Sequence, residues 1–190
     1  TIPEGYTAKQ IAELLEEKGF FTAEEFITEM NTGTFDYEFL KDIPDREYRL
    51  EGYLFPATYE IKEGETVHDL IVKMLDRFEI TYDNILSGYS GDLTVDELVT
   101  VASLIESEIQ VESERKTAAG VIYNRLEADM LLQIDSTVQY ALSTRNEVVT
   151  YDDLEVDSPY NTYKYKGLPY GPICCPGEPS LDAAVNPEDN

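Results

Sequence analysis

TVDELVTVASLIESEIQ, residues 94–110, is the stretch on which the fold turns. Thr94 followed three positions later by Glu97 has the form of a capping box, in which a hydroxyl and a carboxylate satisfy orphan amides at a helix start. Leu98, Val101, Ala102, Ile105 and Ile109 then recur at helical spacing and make one apolar stripe. At about 100° per residue, Glu106 falls roughly 70° from the middle of that stripe, on a flank with Ala102, Val99 and Val95. Partial desolvation on such a flank favours the neutral form of a carboxyl, which suits a general acid. A solvated helix-face glutamate fits the same pattern. Glu108, on the opposite margin, is separated from Glu106 only weakly by this geometry.

Working outward, the 190 residues are enough to bury a sizeable core, and 42% hydrophobic content fits a globular chain. With 39 acidic against 14 basic residues the formal charge is −25. That balance leaves no basic track for a phosphate backbone, so no nucleic-acid partner is expected, and it disfavours adhesion to anionic lipid. No apolar run reaches the length of a membrane span, and Thr100, Ser103 and Glu106 interrupt the apolar part of the central helix. The opening TIPEGYT, without Met, reads as part of something longer. Cys174 and Cys175 are adjacent, cannot staple distant segments, and are expected as thiols. With His68 the single histidine, neither a metal site nor a cofactor is expected.

The first eighty residues carry a weak internal repeat. TIPEGYTAKQIAELLEEKG resembles YEIKEGETVHDLIVKMLDRF, with Gly5 and Thr7 matching Gly64 and Thr66 at one offset. Each copy reads as a short strand, a glycine turn, a capping threonine and an amphipathic helix. Such a module is of LysM-like kind. Between the copies, TAEEFITEMN is a helix opened by Thr22, and RLEGYLFPATYEI (49–61) reads as extended, with Pro56 imposing a bend or an edge. Glu51 is a charge among its large apolar groups. The glycines, Asn and Asp of residues 79–93 mark a boundary, giving an N-terminal part at 1–80 and a second part at 81–190. In the second part, SERKTAAGVIYNRLEADM predicts a helix capped by Ser113, MLLQI a short strand, and Asp135 the cap of the helix STVQYALS. The fold class expected is therefore α+β: a small LysM-like part followed by a mainly helical part with short strands. From Tyr151 the chain is rich in Pro, Gly and Tyr, and so long an ordered loop is more often functional than accidental. Tyr160, Tyr163, Tyr165 and Tyr170 offer faces suited to sugar rings, or simply cover core.

In order, LEGYLFPATYEI, ASLIESE, SERKTAAGVIYNRL, LLQIDSTVQYAL and SPYNTYKYKGLPYGPICCPG resemble the YceG-like endolytic murein transglycosylases, the MltG family. The resemblance implies that Glu106 is the single catalytic acid. It implies that Glu51, Gln133, Asp135, Asn161 and Tyr163 line the active site or substrate groove. Peptidoglycan glycan strands are then the substrate and the wall-building machinery a partner. The intact protein would be held by a single upstream membrane anchor, with its catalytic part facing the cell wall. Two departures stand out: Cys175 replaces the asparagine usual before the last Pro-Gly, and the chain stops at Asn190 where family members continue.

Hydrolysis of a glycoside ordinarily needs two carboxylates, whereas a lytic transglycosylase needs one because the substrate's C6 hydroxyl replaces water. Two other readings stay open on the sequence. One is a lysozyme-like hydrolase with Asp135 or Glu112 as second carboxylate; the other is a non-catalytic glycan-binding module.

Overall fold

The computed structural model describes residues 1–143 and 148–189. Its first four long helices are set by one local device. α1 (Ala8–Glu17), α2 (Ala23–Thr32), α3 (Val67–Thr81) and α4 (Val95–Glu108) each begin on a threonine, Thr7, Thr22, Thr66 and Thr94. Each hydroxyl accepts from an amide three residues on, and Gln10, Glu25, Asp69 or Glu97 reaches back to the threonine amide. Loss of one such cap typically costs about 1 kcal/mol. α5 (Arg115–Glu127), α6 (Asp135–Ala141) and α7 (Glu178–Val185) lack a side-chain cap of their own. Ser113 lies inside a short 3-10 turn, Glu112–Glu114, and does not cap α5.

α4 is the organising element. Eight consecutive residues, Leu98 to Ile105, are buried, so the helix is enclosed on all sides rather than along one stripe. Its buried hydroxyls are satisfied locally: Thr100 Oγ1 donates to the Asp96 carbonyl at 2.7 Å and Ser103 Oγ to the Thr100 carbonyl at 2.7 Å. Ser103 Oγ also accepts the Ile173 amide at 3.0 Å, which ties the late loop to α4. α5, α6 and α7 pack on α4, while α1, α2 and α3 pack on one another. The buried apolar side chains of both groups form one continuous cluster.

The strands expected of an α+β fold do not form: among the described residues there is no β-ladder. The mostly helical chain has irregular segments where strands were expected, and the reasons are local. Residues 49–61 turn before they extend, with the Glu51 amide on the Tyr48 carbonyl at 3.1 Å and Tyr53 on Leu50 at 3.0 Å. Gly52 takes φ +96°, and a Cβ there would stand 2.7 Å from Pro172 Cβ and 2.8 Å from Val99 Cγ1. Only glycine allows that crossing. In MLLQI, Gln133 has φ +55°, which breaks the pleat. Its amide and that of Ile134 are taken by Thr162, at 3.1 and 2.9 Å. Both repeat copies keep the glycine turn and threonine cap, Gly5 at φ 81° and Gly64 at φ 84°, but neither has a strand beside them.

A part-buried ion pair holds the connector to α4. Arg46 grips Asp96 with two hydrogen bonds of 2.8 and 3.0 Å, and Tyr53 adds a third at 2.6 Å. A bidentate guanidinium–carboxylate pair fixes orientation as well as distance.

Candidate active site

An open groove of about 820 Å³ runs past the C-terminal half of α4. It is lined by Glu4, Tyr6 and Lys9 of the N-terminal segment and α1, by Glu106 and Ser107 of α4, and by Asp135, Ser136 and Gln139 of α6. Glu106 points a nearly enclosed side chain, 5% exposed, toward two donors. Arg115 Nη2 reaches Oε2 at 3.1 Å, and the Gly177 amide reaches Oε1 at 2.8 Å. Those neighbours differ from the apolar flank that periodicity predicts, because the loop before α7 and the first residue of α5 cover that side. Ser107 Oγ bonds back to the Ser103 carbonyl at 2.9 Å and meets the Cys174 thiol at 3.4 Å.

The late loop does fold against Glu106, through Gly177. It is held there by two backbone bonds with the N-terminal segment, Gly5 amide to Cys175 carbonyl at 3.0 Å and Cys175 amide to Tyr6 carbonyl at 2.8 Å. Both cysteines are buried thiols.

Glu51 is fully buried beneath the groove. Its Oε1 accepts the Ala8 amide at 2.9 Å, at the start of α1, and faces the Cys175 thiol at 3.8 Å; its Oε2 accepts Tyr140 Oη at 3.1 Å. Burial pushes its pKa up to about 7, offset in part by the Ala8 and Tyr140 hydrogen bonds and by the charge of Arg46. It joins α1, α6 and the loop from inside, and with Tyr140 it is among the residues that border the groove.

Asn161 is also buried. Its amide donates to the carbonyls of Leu154 and Val156, both at 2.8 Å, and its oxygen accepts the Tyr163 amide at 3.0 Å. Both N–H donors are spent on its own loop, and Asn161 is not among the residues that line the groove. Gln133 is exposed and outside the groove lining. Tyr163 donates its hydroxyl to Asp135 Oδ1, and that bond pushes the tyrosine's pKa up to about 12.

Asp135 does line the groove. It is the first residue of α6, not its cap, and among the described residues no backbone amide donates to its carboxyl. The start of α6 is instead served by Glu108, whose Oε1 accepts the Ser136 amide at 3.3 Å and the Ser136 hydroxyl.

Sequence reasoning missed Arg115 and Glu4. Arg115 carries a legible signal: a cation in the first turn of a helix opposes the dipole there, so something else must hold it. Glu4 carries none, because its repeat counterpart Glu63 is an ordinary exposed turn residue. No group of three or more His, Cys, Asp or Glu among the described residues is arranged to hold a metal, and no helix among them is long and apolar enough to cross a membrane.

The architecture is that of a solved yceG-like protein from Listeria monocytogenes, at a TM-score of 0.85 and 37% identity, covering 100% of this chain and 66% of that one. Across residues 1–190 the sequence matches the YceG-like family, and the chain belongs to it. It is 40% identical over 212 residues to the endolytic murein transglycosylase of Streptococcus pneumoniae serotype 2, strain D39. It is 37% identical over 202 residues to that of Bacillus subtilis strain 168. These matches take in 98% and 99% of the chain but span only 38% and 56% of the two relatives.

Proposed function

We propose that the chain is the catalytic part of an endolytic lytic transglycosylase, cleaving peptidoglycan strands between N-acetylmuramic acid and N-acetylglucosamine. The observation that carries this reading is the placement of Glu106: one enclosed carboxylate at the edge of a long groove, between a guanidinium and a backbone amide. The names of the relatives support the substrate class. In the reaction, Glu106 in its acid form gives its proton to the glycosidic oxygen as the bond to C1 of the muramic residue breaks. The C6 hydroxyl of that residue closes on C1, and the Glu106 carboxylate takes the hydroxyl's proton. The 1,6-anhydro ring replaces the broken glycosidic bond, no water is consumed, and one residue serves as acid and then base. Arg115 holds the carboxylate between the two steps. Around it, Asp135 and Tyr163 act as a pair at the groove, Gln133 lies farther out, and Glu51 and Asn161 are internal supports.

Further parts of the reading rest on the family resemblance. Residues 1–80 form a LysM-like N-terminal part and 81–190 the part bearing the acid, the two sharing one apolar core. We place the intact protein at the cell membrane on an upstream anchor, beside the wall-building machinery.

Mass spectrometry of products from purified glycan strands tests the reaction: anhydro ends support it, and reducing ends overturn it. One observation favours a second reading. Asp135 lines the groove without a backbone amide on its carboxyl, as the second carboxylate of a hydrolase would. In that case reducing ends appear, and Asp135→Asn abolishes cleavage as fully as Glu106→Gln.

A further inference from the structure

We infer that Glu4 is a positioning residue of the Glu106 centre, the carboxylate that takes up the charge of Arg115 while Glu106 holds the proton it delivers. The inference rests on the transglycosylase reading for its chemistry and on independent geometry for its placement. Glu4 and Gly5 are pinned beside Glu106: the Gly5 amide bonds the Cys175 carbonyl, and a Cβ on Gly5 would lie 3.7 Å from Glu106 Cγ. The Glu4 carboxyl rests against Gly177, where an added Cβ would stand 2.5 Å from Glu4 Cδ. Gly177 is the residue whose amide holds Glu106 Oε1. Glu4 therefore shares the loop that positions the acid, and lines the same groove.

The charges explain why a second carboxylate is useful there. Arg115 is 8% exposed and its Nε has no hydrogen-bond partner, so Glu106 is its main compensation. When Glu106 is protonated, that guanidinium is left in a largely enclosed place without a compensating charge, which is strongly unfavourable if nothing replaces it. The charge of Arg115 acts on the Glu4 carboxyl, which borders the same groove. The charged groups that face Glu4 are Glu106 on α4, Arg115 on α5 and Glu112 in the 3-10 turn. Its pKa is raised by partial burial and by Glu106, lowered by Arg115 and raised again by Glu112. Glu4 and Glu106 thus face one cation, and the charge of Glu106 acts on the Glu4 carboxyl.

The test is the pH profile of kcat/KM on purified glycan strands for wild type, Glu4→Gln, Glu4→Asp and Gly177→Ala. Glu4→Gln should move the alkaline limb to lower pH, so that activity falls roughly tenfold along that limb and little on the acid side of the optimum. Glu4→Asp, which keeps the charge, should hold the limb near its wild-type position. Gly177→Ala, whose methyl group displaces the flexible Glu4 carboxyl, should move the limb in the same direction as Glu4→Gln. Equal loss at every pH, or no loss in Glu4→Gln, would overturn the inference.

A second measurement needs no glycan. In carboxyl carbon NMR titrations, the midpoint of Glu4 should fall in Glu106→Gln, and an unmoved midpoint would overturn the coupling. Absence of anhydro ends from wild type, with the Glu4 midpoint still moved by Glu106→Gln, would instead refute the transglycosylase reading alone.

Discussion

One loop serves two carboxyl groups in two ways. The Cys175 thiol faces Glu51, and two residues later the Gly177 amide donates to Glu106. Both glutamates lie in segments with family-like sequence, and both accept a backbone amide from a distant part of the chain. They differ in what else is present. Glu51 is sealed from water, holds three other elements together, and has its pKa driven up to about 7 chiefly by burial. Glu106 stands at a groove, beside a guanidinium that compensates its charge. The two carboxyl groups therefore differ in surroundings, one enclosed among the elements that border the groove and one placed beside a cation at its edge.

The largest expected effect is at Glu106. Glu106→Gln keeps the shape and an acceptor for the Gly177 amide but cannot deliver or recover a proton. Cleavage should fall by about 10²–10⁴, with glycan binding and melting temperature nearly unchanged. Comparable activity in Glu106→Gln and wild type would remove the distinction between the two glutamates. Loss of binding along with activity would make Glu106 a structural group like Glu51.

Glu51 should report through stability rather than rate. Its pKa in the folded protein is raised from the ordinary 4.5 to about 7, so between those values the folded state holds a proton that the unfolded chain has released. Stability from this group is full below pH 4.5 and is lost as pH rises to about 7, on the order of 3 kcal/mol in all. Glu51→Gln has no proton to lose. Urea denaturation from pH 5 to 8 should show wild type losing stability relative to Glu51→Gln by that order. Parallel curves for the two proteins would place the titration elsewhere.

How far the sequence showed this contrast depends on the kind of interaction. The threonine caps were legible because they are local: Thr7, Thr22, Thr66 and Thr94 each find their partner within one turn. The α4 stretch was legible as a helix, yet its full enclosure was not, since α7 and the loop around Ile173 come from seventy residues away. The strands were over-read because alternation in MLLQI says nothing of Gln133's positive φ or of Thr162 as partner. At the site, resemblance pointed to Glu106, Asp135 and Tyr163, which the fold gathers at or beside the groove. It could not show that Glu51 and Asn161 are buried, which is a property of the assembled fold.

Asp135 tests whether the groove contains a second group of the Glu106 kind. Under the transglycosylase reading Asp135→Asn loses the charge that receives the Tyr163 hydroxyl and little else, so cleavage should drop less than about tenfold and the ends should stay anhydro. A drop as deep as that of Glu106→Gln, with no compensating loss of stability, would favour the two-carboxylate hydrolase.

The smallest effect is expected at Glu108, the helical neighbour that periodicity alone could not separate from Glu106. Its carboxylate sits at the start of α6, where it accepts the Ser136 amide and hydroxyl. A negative charge there is favoured by the helix dipole, typically by about 0.3–1 kcal/mol. Glu108→Gln keeps an oxygen for Ser136 and loses only the charge, so stability should fall by no more than about that amount. Because Ser136 also lines the groove, a small rise in KM is expected while kcat stays within about twofold, an energy difference below 0.5 kcal/mol. Thermal unfolding and steady-state cleavage of Glu108→Gln beside Glu106→Gln decide the matter. If Glu108→Gln were the inactive protein and Glu106→Gln the active one, the proton would have to be delivered from the start of α6, and the pairing of Glu106 with Arg115 would be structural only.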